Sequence, residues 1–372
     1  MEIEIGIGKT ARRAYGFDEV AIVPSRRTRD PDDVDISWEI DAFTFPLPMM
    51  ASAMDASVSP ATAAEIGRIG GLACLNLEGL QTRYEDPDPV FEEIGSLSDD
   101  KATRRMQELY AEPVKPELVG ARIREIKQSG AVSCASLTPQ KVVEFAPMVL
   151  EAELDILVIQ GTVVSAEHVS TRTEPLNLKE FIAHFDLPVI VGGCASYSTA
   201  LHLMRTGAAG VLVGFGGGAT ATTRRALGIH SPMASAISDV AAARRDYMDE
   251  SGGRYVHVIA DGGMGTSGDI VKAIAMGADA VMLGSALARA EEAPGKGWHW
   301  GQEAHHLELP RGDRANVGTV GPLEEVLFGP GHHTNGTSNL IGALRRSMAT
   351  TGYSDLKEFQ RVDVVVSPYT GN

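Results

Sequence analysis

The sequence predicts an α/β fold, one (β/α)₈ barrel, and three observations carry that prediction. Short apolar runs recur eight times along the chain. Stretches with helix-like periodicity, long enough for crossovers, lie between them. Glycine turns gather at the ends of the last four runs rather than after the first. An open doubly wound sheet is the alternative, but its glycine fingerprint belongs at the first strand–helix turn. Strand and helix alternating eight times favour a closed TIM barrel.

The runs are Pro46–Ser52, Gly71–Asn76, Ala131–Leu137, Asp155–Gly161, Leu187–Gly193, Ala208–Phe215, Tyr255–Gly263 and Asp279–Ser285. The later ones are apolar almost throughout, as parallel strands buried on both faces are. Crossover helices are expected at Pro60–Ile69, Pro139–Glu151, Ser196–Thr206, Ala234–Glu250 and Gly268–Met276, with Ser267 as a cap for the last. The stretch from Leu77 to Gly130 exceeds one crossover, and Lys101–Leu109 and Pro116–Lys127 read as helices within it. The part from Pro294 to Asn372 is longer than a barrel needs and carries a Gly- and His-rich stretch at Phe328–Thr337. Long irregular segments on a barrel are often active-site flaps.

The 372 residues could hold two domains, but no boundary-like linker appears, so one domain over 1–372 is expected. A net charge of -16 argues against nucleic-acid and anionic-membrane partners, which need a basic footprint. A small anion is still allowed, because backbone N–H groups can hold a phosphate. Cys74, Cys134 and Cys194 are far apart, without metal spacing, and fit a reducing, cytoplasmic compartment. The start, Met1–Thr10, has no apolar signal region, and no apolar run reaches the roughly 18 residues of a spanning helix.

The seventh run ends in Ala260-Asp-Gly-Gly-Met264 and the eighth in Leu283-Gly-Ser-Ala286. In a barrel these ends lie side by side on one rim, the usual phosphate site of the fold. Ser285 can donate a hydroxyl to a phosphate oxygen. A carboxylate beside a phosphate must point elsewhere, so Asp261 either faces ribose hydroxyls or bonds local N–H groups. After the sixth run, Gly214-Phe-Gly-Gly-Gly-Ala-Thr-Ala-Thr-Thr-Arg224 reads as a backbone-rich loop on the same rim, able to wrap a ligand or an ion with carbonyls.

These residues resemble the IMP dehydrogenase / GMP reductase family over nearly the whole chain. The matches are Ser52-Ala-Met-Asp55, the Gly214–Arg224 loop, Val258–Gly263 with Thr266–Ile270, Gly277–Ser285, Gly321-Pro-Leu, and Gly342–Met348. The resemblance implies a purine nucleoside monophosphate (IMP, XMP or GMP) at the rim. It places Ser52 and Met54 beside the base, and Gly218, Ala219, Gly262, Gly263, Gly284 and Ser285 around the phosphate. Asp261 then holds the ribose, with Gly301 and Gln302 contacting the nucleotide through backbone. It also implies NAD as cofactor, a homotetrameric ring or octamer, and a monovalent cation in the Gly214–Arg224 loop. Many relatives carry a two-CBS module after the second strand, and Leu77–Gly130 is too short to hold one.

The chain departs from this pattern where the chemistry is done. A cysteine in the loop after the sixth strand attacks C2 of the purine in the family, and Ala221 stands there. Ala219 replaces a phosphate-contacting serine. Gln160 occupies the place of the cofactor-ribose aspartate, Gly193 that of a base-contacting asparagine, and Arg311 that of a purine-reading acid or amide. Cys194 lies near the rim but reads as a small buried hydrophobe. Thr222 and Thr223 remain, and the family uses a threonine here in proton transfer, though a hydroxyl is a poor nucleophile without a strong base. His299, His305, His306, His332 and His333 read as solvated loop residues. Three functions stay open: an NAD-dependent IMP dehydrogenase-type enzyme of GMP biosynthesis, a catalytically silent purine-nucleotide binder, and a different reaction on a related nucleotide.

Overall fold

Eight parallel strands close into a barrel in the computed structural model, which describes residues 2–165, 169, 171, 175–221, 223–301 and 314–367. In chain order they are β1 (Met49–Ala51), β2 (Leu72–Asn76), β3 (Cys134–Leu137), β4 (Ile156–Gln160), β5 (Val189–Cys194), β6 (Gly210–Val213), β7 (His257–Asp261) and β8 (Ala280–Leu283). Each pairs with its neighbour in sequence. The seam is made by β8 on β1, with Val281 opposite Met49 and Leu283 opposite Ala51. All eight expected strands are present, each shorter than its apolar run, with β5 reaching one residue past the end of its run. At the rim, Ser52, Gly161 and Ser285, which end their runs, become loop, while Asn76 stays in β2 and Gly193 in β5. Cys194 is a correction in the other direction: it belongs to β5 and does not follow it.

The crossover helices are α1 (Pro60–Ile69), α2 (Asp88–Ser96), α3 (Asp99–Tyr110), α4 (Pro116–Gln128), α5 (Val142–Glu151), α6 (Leu178–Ala183), α7 (Tyr197–Met204), α8 (Met233–Glu250) and α9 (Ser267–Ala275). Their starts follow capping chemistry. Ser59 accepts from the Thr62 N–H ahead of Pro60, and Gly70 ends α1 in the left-handed region. At α9 the cap is Thr266, not Ser267. Thr266 accepts from the Asp269 N–H, while Asp269 accepts from the Thr266 N–H and hydroxyl. The stretch after β2 holds three helices, one more than the sequence indicated, because α2 is short and has only Val90, Phe91 and Ile94 to bury.

Strand residues such as Met49, Ile159, Val191, Leu212 and Ile259 are fully buried between the barrel interior and the helices. The hairpin Trp38–Ile40 with Phe43–Phe45 precedes β1, and its Trp38 meets His257 of β7 edge-on. The long C-terminal part carries short regular elements between its irregular stretches. These are helices α10 (Leu323–Phe328), α11 (Leu340–Thr351) and α12 (Leu356–Phe359), and α11 packs on α9. Val364–Val366 then pairs antiparallel with Val20–Ile22. Among the described residues the rim-facing piece is a stem, Trp298–His299 paired with Ala315–Asn316.

Candidate functional site

The rim at the strand C-termini opens into a cavity of about 390 Å³. Its walls come from widely separated parts of the sequence: Ser52–Met54 after β1, Gln160–Thr162 from the end of β4, the loop after β6, Asp261–Gly265 from the end of β7, and Gly284 and Ser285 after β8. Barrel closure brings the first and last of these together. The Ser52 N–H donates to the Leu283 carbonyl at 2.8 Å, and the Ser57 hydroxyl donates to the Gly284 carbonyl at 3.1 Å.

The phosphate end is a backbone surface. Gly262 and Gly263 have φ of 91° and 77°, a pair of left-handed residues that exposes successive peptide groups to the cavity. The loop after β6 lies directly on this turn, and a Cβ on Gly217 would come within 3.0 Å of the Gly263 nitrogen. Gly284 is confined as well, because a Cβ there would meet the Met54 sulfur at 2.9 Å. Gly217 is thus held close against backbone, and a larger residue at Gly284 would have to displace the flexible end of Met54.

Asp261 and Gln160 share a wall. The Gln160 amide Nε2 donates to Asp261 Oδ2 at 3.0 Å, tying the carboxylate to the end of β4. The residue in place of a cofactor-ribose acid is thus turned toward Asp261 and the nucleotide half of the cavity. An amide engaged in this way does not offer a ribose diol the paired acceptors of a carboxylate. The described residues do not fit NAD at this position.

The loop after β6 is open from Gly214 to Ala221 and then forms one π-helical turn, Thr223–Leu227. The expectation of a loop throughout is corrected at that turn. The Ala221 N–H donates to the Gly218 carbonyl at 3.0 Å, and its methyl lines the cavity beside the buried Thr223. No thiol takes the place of the missing one. Cys74, Cys134 and Cys194 are all buried and outside the cavity lining. Burial pushes the Cys194 thiol up to about 12, so it is not a thiolate near neutral pH.

Among the residues indicated by sequence, the structure brings Ser52, Met54, Gln160, Gly218, Ala219, Ala221, Thr223, Asp261, Gly262, Gly263, Gly284 and Ser285 to one cavity. Gly301 is buried at the stem and does not line it. Gly193 packs against the Gly214 carbonyl away from the lining. Gln302, Arg311, Thr222, His305 and His306 lie outside the described residues. His332 and His333 are exposed, as expected. His299 is not solvated: it is 2% exposed and lines the cavity, a correction to its reading as a loop histidine. Arg289, which also lines the cavity, had no sequence signal.

Beneath the rim, Asp55 is buried and accepts from the Tyr110 hydroxyl at 2.5 Å, the Leu80 N–H at 3.0 Å and Asn76 Nδ2 at 3.3 Å. The Trp300 indole N–H donates to the Tyr110 hydroxyl at 2.8 Å. Burial raises the Asp55 pKa against these donors. The network ties the loop carrying Met54 to α3 and to the stem carrying His299.

Comparison with known proteins agrees with this geometry. The model of the IMP dehydrogenase / GMP reductase domain matches residues 14–370. An uncharacterized oxidoreductase of Mycobacterium tuberculosis is 52% identical over 373 residues, covering 98% of this chain and 99% of the relative. Inosine-5'-monophosphate dehydrogenase of Methanocaldococcus jannaschii is 25% identical over 483 residues, covering 96% and 94%. The crystal structure of an IMP dehydrogenase/GMP reductase-like protein from Corynebacterium glutamicum superposes with a TM-score of 0.93 at 50% identity, covering 98% of both chains. With the barrel, the rim turns and a match over almost its full length, this chain belongs to the IMP dehydrogenase / GMP reductase family of oxidoreductases.

Proposed function

We propose that the cavity binds a purine nucleoside monophosphate, and that Ala221 removes the thiolate route to hydride transfer. The carrying observation is the convergence of the Gly262–Gly263 turn, Ser285 and Asp261 on one cavity whose reactive loop presents a methyl group. Backbone N–H groups and the Ser285 hydroxyl hold the phosphate, Asp261 accepts from the ribose, and Ser52 and Met54 flank the base. NAD would supply a hydride acceptor, but Gln160 is committed to Asp261, so no step is assigned through it.

The oxidoreductase reading and the silent-binder reading separate in one experiment. The protein and its Ala221→Cys variant are mixed with IMP and NAD, and NADH absorbance is followed beside thermal melting. Stabilisation by IMP or GMP without turnover supports the binder. Turnover by the unaltered chain overturns it. No melting shift with any purine monophosphate removes the phosphate-site assignment altogether. A different reaction on a related nucleotide is favoured by the altered Gln160–Asp261 pair, and XMP belongs in the same screen.

Four further parts belong to the proposal. A homotetrameric ring or its octamer is read by light scattering, and a monovalent cation in the loop after β6 by the potassium dependence of melting. A single barrel without a CBS module is supported by α2, α3 and α4 filling the stretch after β2. The three free thiols support a cytoplasmic setting, and no helix among the described residues is long and apolar enough to cross a membrane.

A further inference from the structure

Arg289 ends the short 3₁₀ turn Leu287–Arg289 after β8 and reaches the cavity. It is half-buried, and burial pulls its pKa down. Its Nη1 donates to the Gly265 carbonyl at 3.2 Å, and no carboxylate among the described residues pairs with it. Gly265 closely follows the Gly262–Gly263 turn, so the guanidinium is tethered beside the phosphate end. His299 approaches the same end from the stem, where it pairs with Ala315. Its Cε1 lies 3.2 Å from the point a Cβ on Gly284 would occupy. Its Nδ1 is buried and has no hydrogen-bond partner among the described residues. The Arg289 charge is felt there, second only to burial in holding the imidazole down to about 4.

An unpaired, half-buried cation is costly, and so is a buried ring nitrogen without a partner. A compact oxyanion in the cavity would accept from the guanidinium and from the edge of the imidazole that lines it, while His299 Nδ1 stays buried behind that edge. Ala219, which lines the same cavity, withholds the hydroxyl that relatives are expected to offer the phosphate, and Arg289 and His299 bring donors that the loop after β6 lacks.

We infer that Arg289 and His299 are further ligand-binding residues of this cavity and recognise the phosphate dianion, Arg289 as its ion-pair partner and His299 as a neutral donor. The inference rests on the purine monophosphate reading of the same site. It assigns the phosphate a cationic partner where backbone groups and Ser285 alone were expected.

Calorimetric titration of IMP, inosine and ribose 5-phosphate into the full chain tests it, with Arg289→Met, Arg289→Lys and His299→Phe variants. Loss of a charge-assisted bond predicts about 10- to 100-fold weaker IMP binding for Arg289→Met. A neutral bond predicts a loss of up to about 10-fold for His299→Phe. Arg289→Lys should recover part of the affinity, and inosine binding should change less than about twofold. Wild-type IMP affinity in Arg289→Met overturns the inference. So does an equal loss for IMP and inosine, which marks a merely structural role. If ribose 5-phosphate binds in an Arg289-dependent way while no purine monophosphate binds, the purine reading falls and this inference stands. If none of them binds, both fall. Should Arg289→Met fail to fold by circular dichroism, the phosphate-specific loss in Arg289→Lys and His299→Phe decides the matter.

Discussion

At Gly214 the chain leaves β6 with φ of 126°, and a Cβ there would run into the Asp261 carbonyl and lie 2.7 Å from the Met233 sulfur. Strain in the left-handed region and a clash with backbone act together, so Gly214→Ala should cost about 2–4 kcal/mol. Urea denaturation checks this, with a fall in midpoint at constant m-value expected. Glycines of this kind were legible in the sequence because their positions after successive strands mark them as rim turns. Ala221 was equally legible, since it breaks a motif. His299 and Arg289 were not. Burial of His299 depends on pairing with the distant Ala315, and the isolation of Arg289 depends on which carboxylates surround it in space. No local periodicity carries either fact.

Between α3 and the stem, the Asp55–Tyr110–Trp300 network makes one unit of two elements that share no sequence pattern. Tyr110→Phe removes a hydroxyl that is both donor and acceptor, leaving Asp55 and the Trp300 indole N–H each short of a partner. The expected loss of stability is about 1–3 kcal/mol, measured by thermal or urea denaturation. Trp300→Phe should cost at least as much, because it also leaves a cavity at a fully buried site, and the double variant should cost less than the sum, because the residues lie in one network. The element-level reading of the sequence succeeded for helices with a strong apolar face, such as α1, whose bounds agree residue for residue. It missed α2, and it placed the cap of α9 one residue late because Thr and Ser stand side by side there. Asp269 decides between them by bonding back to Thr266.

For the molecule as a whole, two histidines set an acid limit. Burial lowers the pKa of His257, at the base of β7, and of His299, at the rim, to about 4 each from an ordinary 6.5. Above pH 6.5 both are neutral whether the chain is folded or unfolded. Between 6.5 and 4 the unfolded chain takes up protons that the folded chain refuses, so stability falls as pH falls through that window. The slope is about 1.4 kcal/mol per pH unit for each histidine at full effect. Asp55, with its raised pKa, opposes this, one group against two. Asp279 acts at lower pH. Burial pushes it up, but Arg244 and Lys357 outweigh that and hold it at about 2, so its contribution fades only as pH drops below 3.8. Melting curves at pH 7, 6 and 5 should show the decline, and His257→Leu should roughly halve its slope. The barrel itself was the most legible feature, because eight buried strands repeat one pattern and closure follows from it.

The β8–β1 seam has a consequence for how the site comes into being. Ser52 and Met54 are synthesised early and Gly284 and Ser285 late, yet they face one another only once β8 has docked on β1. A nascent chain released before Ala280 therefore has seven strands, two open edges and no complete pocket, however well its helices have formed. Ligand cannot rescue such a fragment, whereas it can hold the finished ring shut. Protection of the seam amides from hydrogen exchange on adding nucleotide is the signature of that closure.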